Sequence, residues 1–272
     1  LLPFLAVAVL YEIVPLLSVI GNSFIPDGGS GFSLENYEKI FTKLLYQKAI
    51  INSLKISLTS SLIGIVIAFL GAKAIHNHTG KLSTAFTTVL NMVSNFAGLP
   101  LYFSFVVILG NTGIFVLALR AIGIQLSTVF RLYSIQGLLL MFIYFQLPLG
   151  SLMLVPAFQA VDSSWKEAAE ILEASPFHFW TRIGIPVMLP SLLDTFALLF
   201  ANAITAYATV LLLVTTSIPL LPVKITTMFT GEMTPQKEMG SALAIWMILI
   251  MLAVICICNL LKKLACKGGE QV

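Results

Sequence analysis

Side chains able to do chemistry are scarce in this chain, and they stand apart from one another. Cys256, Cys258 and Cys266 all fall within the last seventeen residues, inside or just after an apolar run. That placement excludes a disulfide framework and leaves no zinc set. His76 and His78, flanking Asn77, are two residues apart and cannot share a helix face, so chelation of a metal is not expected. There is no H-E-x-x-H, no intramembrane aspartate pair and no exposed nucleophile motif. The phosphate-loop pattern G-x-x-x-x-G-K-[ST] is absent too: Gly80-Lys81 comes nearest, but Leu82 follows and Ile75 stands where the first glycine is needed. The chain is therefore not expected to be an enzyme or to bind ATP itself.

Two other kinds of residue could do work. The first are polar groups within apolar stretches, where they are expensive and tend to face a bundle interior. Asn202, Thr205 and Thr209 recur at i, i+3 and i+7, with Tyr207 nearby. Ser94, Asn95 and Tyr102 surround a Gly98-Leu99-Pro100 break, and Gln146 precedes Pro148. These are candidates for a substrate path, and hydrogen bonding between helices is the plainer alternative for each. Glu12 is the one acid deep in an apolar stretch, where a charge costs about 2.5–3.5 kcal/mol. It could meet a cation or a partner subunit. Asp194 is expected at an interface, and His178 as a contact residue.

The second is a polar loop over residues 162–186. Asp162, Ser163 or Ser164 can cap a helix carrying Trp165, Glu167, Ala168, Ala169, Ile171 and Leu172. Glu167 stands in its first turns, where the macrodipole favours an anion. Ser175 and Pro176 suit the cap and first turn of a second helix. Two short amphipathic helices meeting near Glu173 are predicted. Their apolar residues (Ile171, Leu172, Phe177, Phe179, Trp180) cannot all turn into lipid, so the loop seeks a protein groove. Trp165 and Trp180 could equally belong to an interfacial belt.

Apolar helices must hold these residues. Of 272 residues 58% are hydrophobic and 10% charged, with a net charge of +3, against about 25% charged in soluble domains. A soluble enzyme, a disordered chain and a nucleic-acid binder are excluded. Uncharged runs of 17, 38, 30, 29 and 23 residues follow Lys55, Lys81, Arg131, Asp194 and Glu238, and the first 26 residues hold only Glu12. About 20 apolar residues cross a bilayer. The fold expected is all-α, a polytopic membrane protein with six spans at about 1–24, 52–74, 86–109, 134–157, 191–213 and 240–261 in one domain. The first span has no initiator Met, so further residues are expected upstream. Ser57, Ser61, Gly64, Ala68 and Gly71 form a stripe of small residues on the second span, expected to be a packing seam. Lysines and arginines divide seven against eight between the two faces. Lys262, Lys263 and Lys267, abutting the last span, argue for cytoplasmic termini.

Within the polar loop, Glu167-Ala168-Ala169 is followed at fixed offsets by Glu173, Ile183, Ile185 and Pro186. This resembles the E-A-A, three residues, G, nine residues, I-x-L-P loop of permease subunits of binding-protein-dependent ATP-binding cassette importers. Glu173 stands where that motif has glycine, which puts the sharpness of the bend in doubt. Leu34-Glu35-Asn36-Tyr37, Asn52-Ser53, Asn95 to Pro100 and Gly110 to Gly113 look like further stretches of such permeases, extending the resemblance over about residues 30–261. The pattern leans toward permeases for polyamines, ferric iron, phosphonates or thiamine. The resemblance implies a bacterial inner-membrane protein with a second permease subunit, expected to be a non-identical homologue that keeps the glycine. It also implies two cytoplasmic cassette ATPases holding ATP and Mg, and an external solute-binding protein. The loop would then be the coupling helix, with Glu167 at a basic residue of the ATPase, Ala168 and Ala169 allowing close approach, and Ile183, Ile185 and Pro186 anchoring it. The outer segment around Pro219, Pro222 and Gly231 to Pro235 would face the binding protein. The rival reading, a secondary transporter or channel without ATPases, needs mid-membrane carboxylates, and Glu12 alone qualifies.

Overall fold

The computed structural model describes residues 3, 7, 9–77, 80–126, 130–214, 218–231 and 235–269. All regular elements among them are helical. In chain order these are α1 (Val9–Ser23), α2 (Glu35–Thr42), α3 (Leu44–Asn77), α4 (Lys81–Ser94), α5 (Leu99–Leu109) and α6 (Ile114–Ala121). They continue as α7 (Ile135–Gln159), α8 (Ser163–Ile171), α9 (Pro176–Thr205), α10 (Ala208–Val214), α11 (Leu221–Thr230) and α12 (Lys237–Gly269).

Five segments among the described residues are long and apolar enough to cross a bilayer: α3, α5 with α6, α7, α9 and α12. α1 is apolar but shorter, and part of the expected first span (residues 1, 2, 4–6 and 8) lies outside the described residues, as does His78. Glu12 sits in a π turn, Val9–Ile13, that opens α1 immediately before Pro15.

Breaks in these helices fall where the backbone demands them. The 86–109 stretch is divided between α4 and α5, because Pro100 cannot continue a helix and Gly98 adopts φ +71°. The apolar segment then runs on through the Gly110–Gly113 turn to Ala121. The fifth span begins upstream of residue 191, since α9 grows directly out of the polar loop through a π turn at Trp180–Gly184. It is interrupted at Ala206 and Tyr207 before α10.

The chain forms two compact units, Leu1–Lys55 with Ile204–Leu252, and Ile56–Ala203 with Ala253–Val272. In the first, Ile40, Tyr46, Leu221, Met239, Ala242 and Leu243 make the core. The stretches singled out by resemblance supply its hydrogen bonds. Asn36, fully buried, donates Nδ2 to the carbonyls of Ser23 (3.3 Å) and Ile25 (2.7 Å). The Asn52 amide donates to the Pro219 carbonyl at 3.2 Å, and Ser53 Oγ accepts from the Leu221 N–H at 2.8 Å. That N–H belongs to the first turn of α11, so Ser53 satisfies a group the helix cannot satisfy internally. On α2, Lys39 is paired with Glu35 and Asp27; the Glu35 hydrogen bond holds its ammonium above the ordinary lysine range.

In the second unit the stripe of small residues is a packing seam, as expected. Ser57, Ser61 and Ala68 are buried, and α7 lies directly against Gly64, Ala68 and Gly71. A Cβ added at Gly64 would stand 2.7 Å from Gln146 Oε1, and one at Gly71 would stand 2.7 Å from Ser151 Oγ. One at Gly150 of α7 would meet the Ala68 methyl at 2.8 Å. Backbones this close are what small residues permit. Asp194 of α9 pairs with Lys262 of α12, which gives both charges a partner.

Candidate functional site

The polar loop is built from its caps outward. The Asp162 carboxylate accepts from the Ser164 N–H at 2.9 Å, and Ser175 Oγ accepts from the His178 N–H at 3.3 Å. Each satisfies one orphan donor of a helix start. The bond to the Ser164 backbone also holds the Asp162 carboxyl below the usual carboxylate range. With Asp162 as cap, Glu167 falls in the second turn of α8, not the first, and points to solvent.

Between the helices stands a left-handed residue. Glu173 adopts φ +56°, the only non-glycine residue with positive φ among those described. Its N–H donates to the Glu170 carbonyl at 3.0 Å, and the Ala174 N–H donates to the Ala169 carbonyl at 2.9 Å. This pair of bonds is the Schellman termination, whose C′ position usually belongs to glycine. Where the importer motif has glycine, the backbone here takes the left-handed conformation with glutamate.

The loop is fastened from below by aromatic rings. Trp180 packs edge-on to Phe69 (centroids 5.8 Å, 90°) and lies 5.6 Å from Phe158 and 5.7 Å from Phe179. Lys73 Nζ stands 4.6 Å over the Trp180 ring. A Cβ at Gly184 would come within 2.4 Å of Trp180 Cε3, so the indole rests directly on that backbone. The cluster continues into a core of Ala68, Ala72, Leu154, Phe158 and Met188.

Sequence reasoning assigned the anchoring to Ile183, Ile185 and Pro186. The structure leaves Ile183 half-buried and Ile185 and Pro186 exposed in the isolated chain, and gives the anchoring to Phe179, Trp180, Gly184 and Met188. Trp180 is thus half-buried, with one side packed against protein. The signal for Gly184 was its place between the motif's Ile183 and Ile185, four residues after a tryptophan.

The opposite side of the loop is bare. Ile171, Leu172 and Phe177 are 82%, 80% and 79% exposed. Single exposed apolar residues are ordinary; three large ones at one elbow, next to exposed Ala168, make a contact surface. Ala169, by contrast, is buried beneath α8. A shallow cleft of ≈ 710 Å³ runs between the two helices, lined in part by Ala168, Ala169, Leu172, His178 and Ile183.

The polar residues considered for a substrate path mostly bond to their own protein. Ser94 Oγ and Asn95 Nδ2 both donate to the Asn91 carbonyl at 2.8 Å, closing the end of α4. Tyr102 is half-buried and packs edge-on to Phe103, with ring centroids 5.3 Å apart. Gln146, fully buried, donates Nε2 to Ser60 Oγ at 3.1 Å across the α3–α7 seam. Asn202 and Thr205 are each engaged in an interaction. Thr209 is buried, and Tyr207 is half-buried at the helix break before α10.

Comparison with known proteins agrees with this architecture. The model of the binding-protein-dependent transport system inner membrane component matches residues 50–264. The chain is 24% identical over 264 residues to the spermidine/putrescine transport system permease protein PotC of Haemophilus influenzae, covering 96% of this chain and 95% of that one. It is 28% identical over 240 residues to a putative 2-aminoethylphosphonate transport system permease protein of Salmonella typhi, covering 83% and 78%. Among solved structures it resembles a bacterial ABC transporter involved in the import of alginate (TM-score 0.78, 17% identity, 96% of this chain and 93% of that one). It also resembles the MetNI methionine ABC transporter (TM-score 0.63, 13% identity, 81% and 96%). A multi-pass chain of apolar helices with one capped, bent and anchored polar loop therefore belongs to the family of binding-protein-dependent transport system inner membrane components, the permease subunits of ABC importers.

Proposed function

We propose that residues 162–186 are the coupling element of this permease, lying in the cytosol and seated in a groove of a cassette ATPase. Both termini then face the cytosol. Two such ATPases hold ATP and Mg, a second permease subunit completes the path, and an external solute-binding protein delivers the solute. Closure of the ATPases pushes the loop as a lever, and its aromatic anchor passes the movement to the spans, biasing a bundle with two discrete arrangements. Ala168 lets α8 lie close to its groove, and Glu167 faces a basic residue there. The substrate belongs to the polyamine, ferric iron, phosphonate or thiamine group, and relatives named as spermidine/putrescine, 2-aminoethylphosphonate and thiamine permeases support three of these four classes. The partner permease is a non-identical homologue that keeps glycine where this chain has Glu173.

One observation carries the reading: Ile171, Leu172 and Phe177 stand bare on an elbow whose reverse side is bolted down through Trp180. Soluble aspartates at two of these positions disturb no internal packing. A Leu172→Asp, Phe177→Asp double variant is expected to keep the wild-type melting temperature of the permease and to lose the ATPase on affinity purification. Retention of the ATPase by a folded double variant refutes the proposal.

A further inference from the structure

Arg120 and Arg131 are two of the three arginines in the chain, and both line one cleft of ≈ 570 Å³ in the second unit. Arg120 occupies the last turn of α6, and Arg131 precedes the start of α7. They bracket the ends of uncharged runs of 38 and 30 residues, so they stand at the membrane–water boundary on the same side. Asn111 and Tyr133 add polar groups to the walls, and Leu117 and Leu132 add apolar ones.

No carboxylate is at hand to neutralise this pair. The sequence has no aspartate or glutamate between Glu38 and Asp162. Among the described residues neither arginine forms an ion pair. Both guanidiniums are exposed at the rim of this cleft, and an anion bound between them offsets their mutual repulsion. Arginine's planar fork suits phosphate oxygens in particular. These two line one cleft whose wall also carries Leu117 and Leu132, apolar surface that a lone snorkelling arginine does not need.

We infer that this cleft binds the phosphate of an anionic phospholipid, one guanidinium on either side of the headgroup and an acyl chain along the apolar wall. With residues 162–186 in the cytosol this cleft opens on the outer face, and a guanidinium pair beside an apolar wall suits a phosphate that carries an acyl chain. The test uses the assembled transporter, purified from membranes and offered phosphatidylglycerol or phosphatidylcholine in mixed micelles, with retained lipid counted by native mass spectrometry. Wild type should hold phosphatidylglycerol in preference to phosphatidylcholine, and an R120Q/R131Q variant should lose that retention about tenfold or more. An R120K/R131K variant, with the charge but not the fork, should fall between them. Equal retention by wild type and the glutamine variant, with both complexes intact, overturns the proposal. Displacement of the bound species by inorganic phosphate regardless of lipid overturns the lipid assignment in favour of a free anion. Capture of an acidic soluble protein in place of lipid overturns it in favour of a docking surface.

Discussion

Replacing Glu173 by glycine should tighten the loop rather than loosen it. At φ +56° a residue with a Cβ costs about 1–2 kcal/mol relative to ordinary helical backbone. Glycine removes that strain but brings about 0.5–1 kcal/mol of extra backbone freedom to the opened state. Taking the midpoints, the net gain for the bent form is about 0.75 kcal/mol, a factor of roughly three to four in a local opening equilibrium at RT of about 0.59 kcal/mol. The reporters are the Glu173 N–H, bonded to the Glu170 carbonyl, and the Ala174 N–H, bonded to the Ala169 carbonyl. Hydrogen exchange of the peptide covering residues 169–176 should slow by that factor in Glu173→Gly. It should speed up in Glu173→Val, whose branched side chain tolerates positive φ worst. The opposite order, or equal exchange in all three proteins, would mean that residue 173 does not carry the bend. The strain argument would then fail. A local readout is chosen because melting of the whole permease is insensitive to a few tenths of a kcal/mol in an exposed loop.

Two further outcomes follow from the loop. Gly184→Ala places a methyl within 2.4 Å of an indole already confined by Phe69, Phe158 and Phe179. Overpacking of this kind costs about 1–3 kcal/mol. A lowered melting temperature and a changed tryptophan emission check it, and wild-type values of both refute it. The Asp162 carboxyl, held below the usual range by the Ser164 backbone N–H, contributes its cap stability above the ordinary carboxylate pKa and loses it as the pH falls through the folded value. Infrared titration of isotopically marked aspartate, with Asp162→Asn as the blank, should give a value below about 3.9; a value at or above it contradicts the cap.

Much of this was readable in the chain because it depends on local chemistry. Uncharged runs mark apolar helices whatever surrounds them, since lipid rejects charge at any position. Asp162, Ser175 and Pro176 marked the loop helices, because a cap acts only on the next few residues. The regular spacing of Ser57, Ser61, Gly64, Ala68 and Gly71 marked a seam. Its partner was not readable, because nothing in α3 encodes that Gln146, Gly150 and Ser151 of α7 would lie there.

Other features came only from the fold. A glutamate in place of the motif's glycine left the sharpness of the bend open, because a φ value records what the neighbouring bonds can enforce, not what the residue prefers. Here the two Schellman bonds hold Glu173 in a conformation it would not choose alone. The anchor moved from Ile183, Ile185 and Pro186 to Trp180 and Gly184 for a related reason. A π turn at Trp180–Gly184 rotates which side chains face inward, so the 3.6-residue periodicity that guides sequence reading does not hold across it. Ser94 and Asn95 look like site residues in a linear sequence, yet a helix end consumes their hydrogen bonds. The sequence alone determined that this chain is built of apolar membrane helices and carries a capped polar loop between two of them. Tertiary structure decided which residues of that loop are fixed and which are left bare, because burial is a property of pairs of elements and is written in neither one.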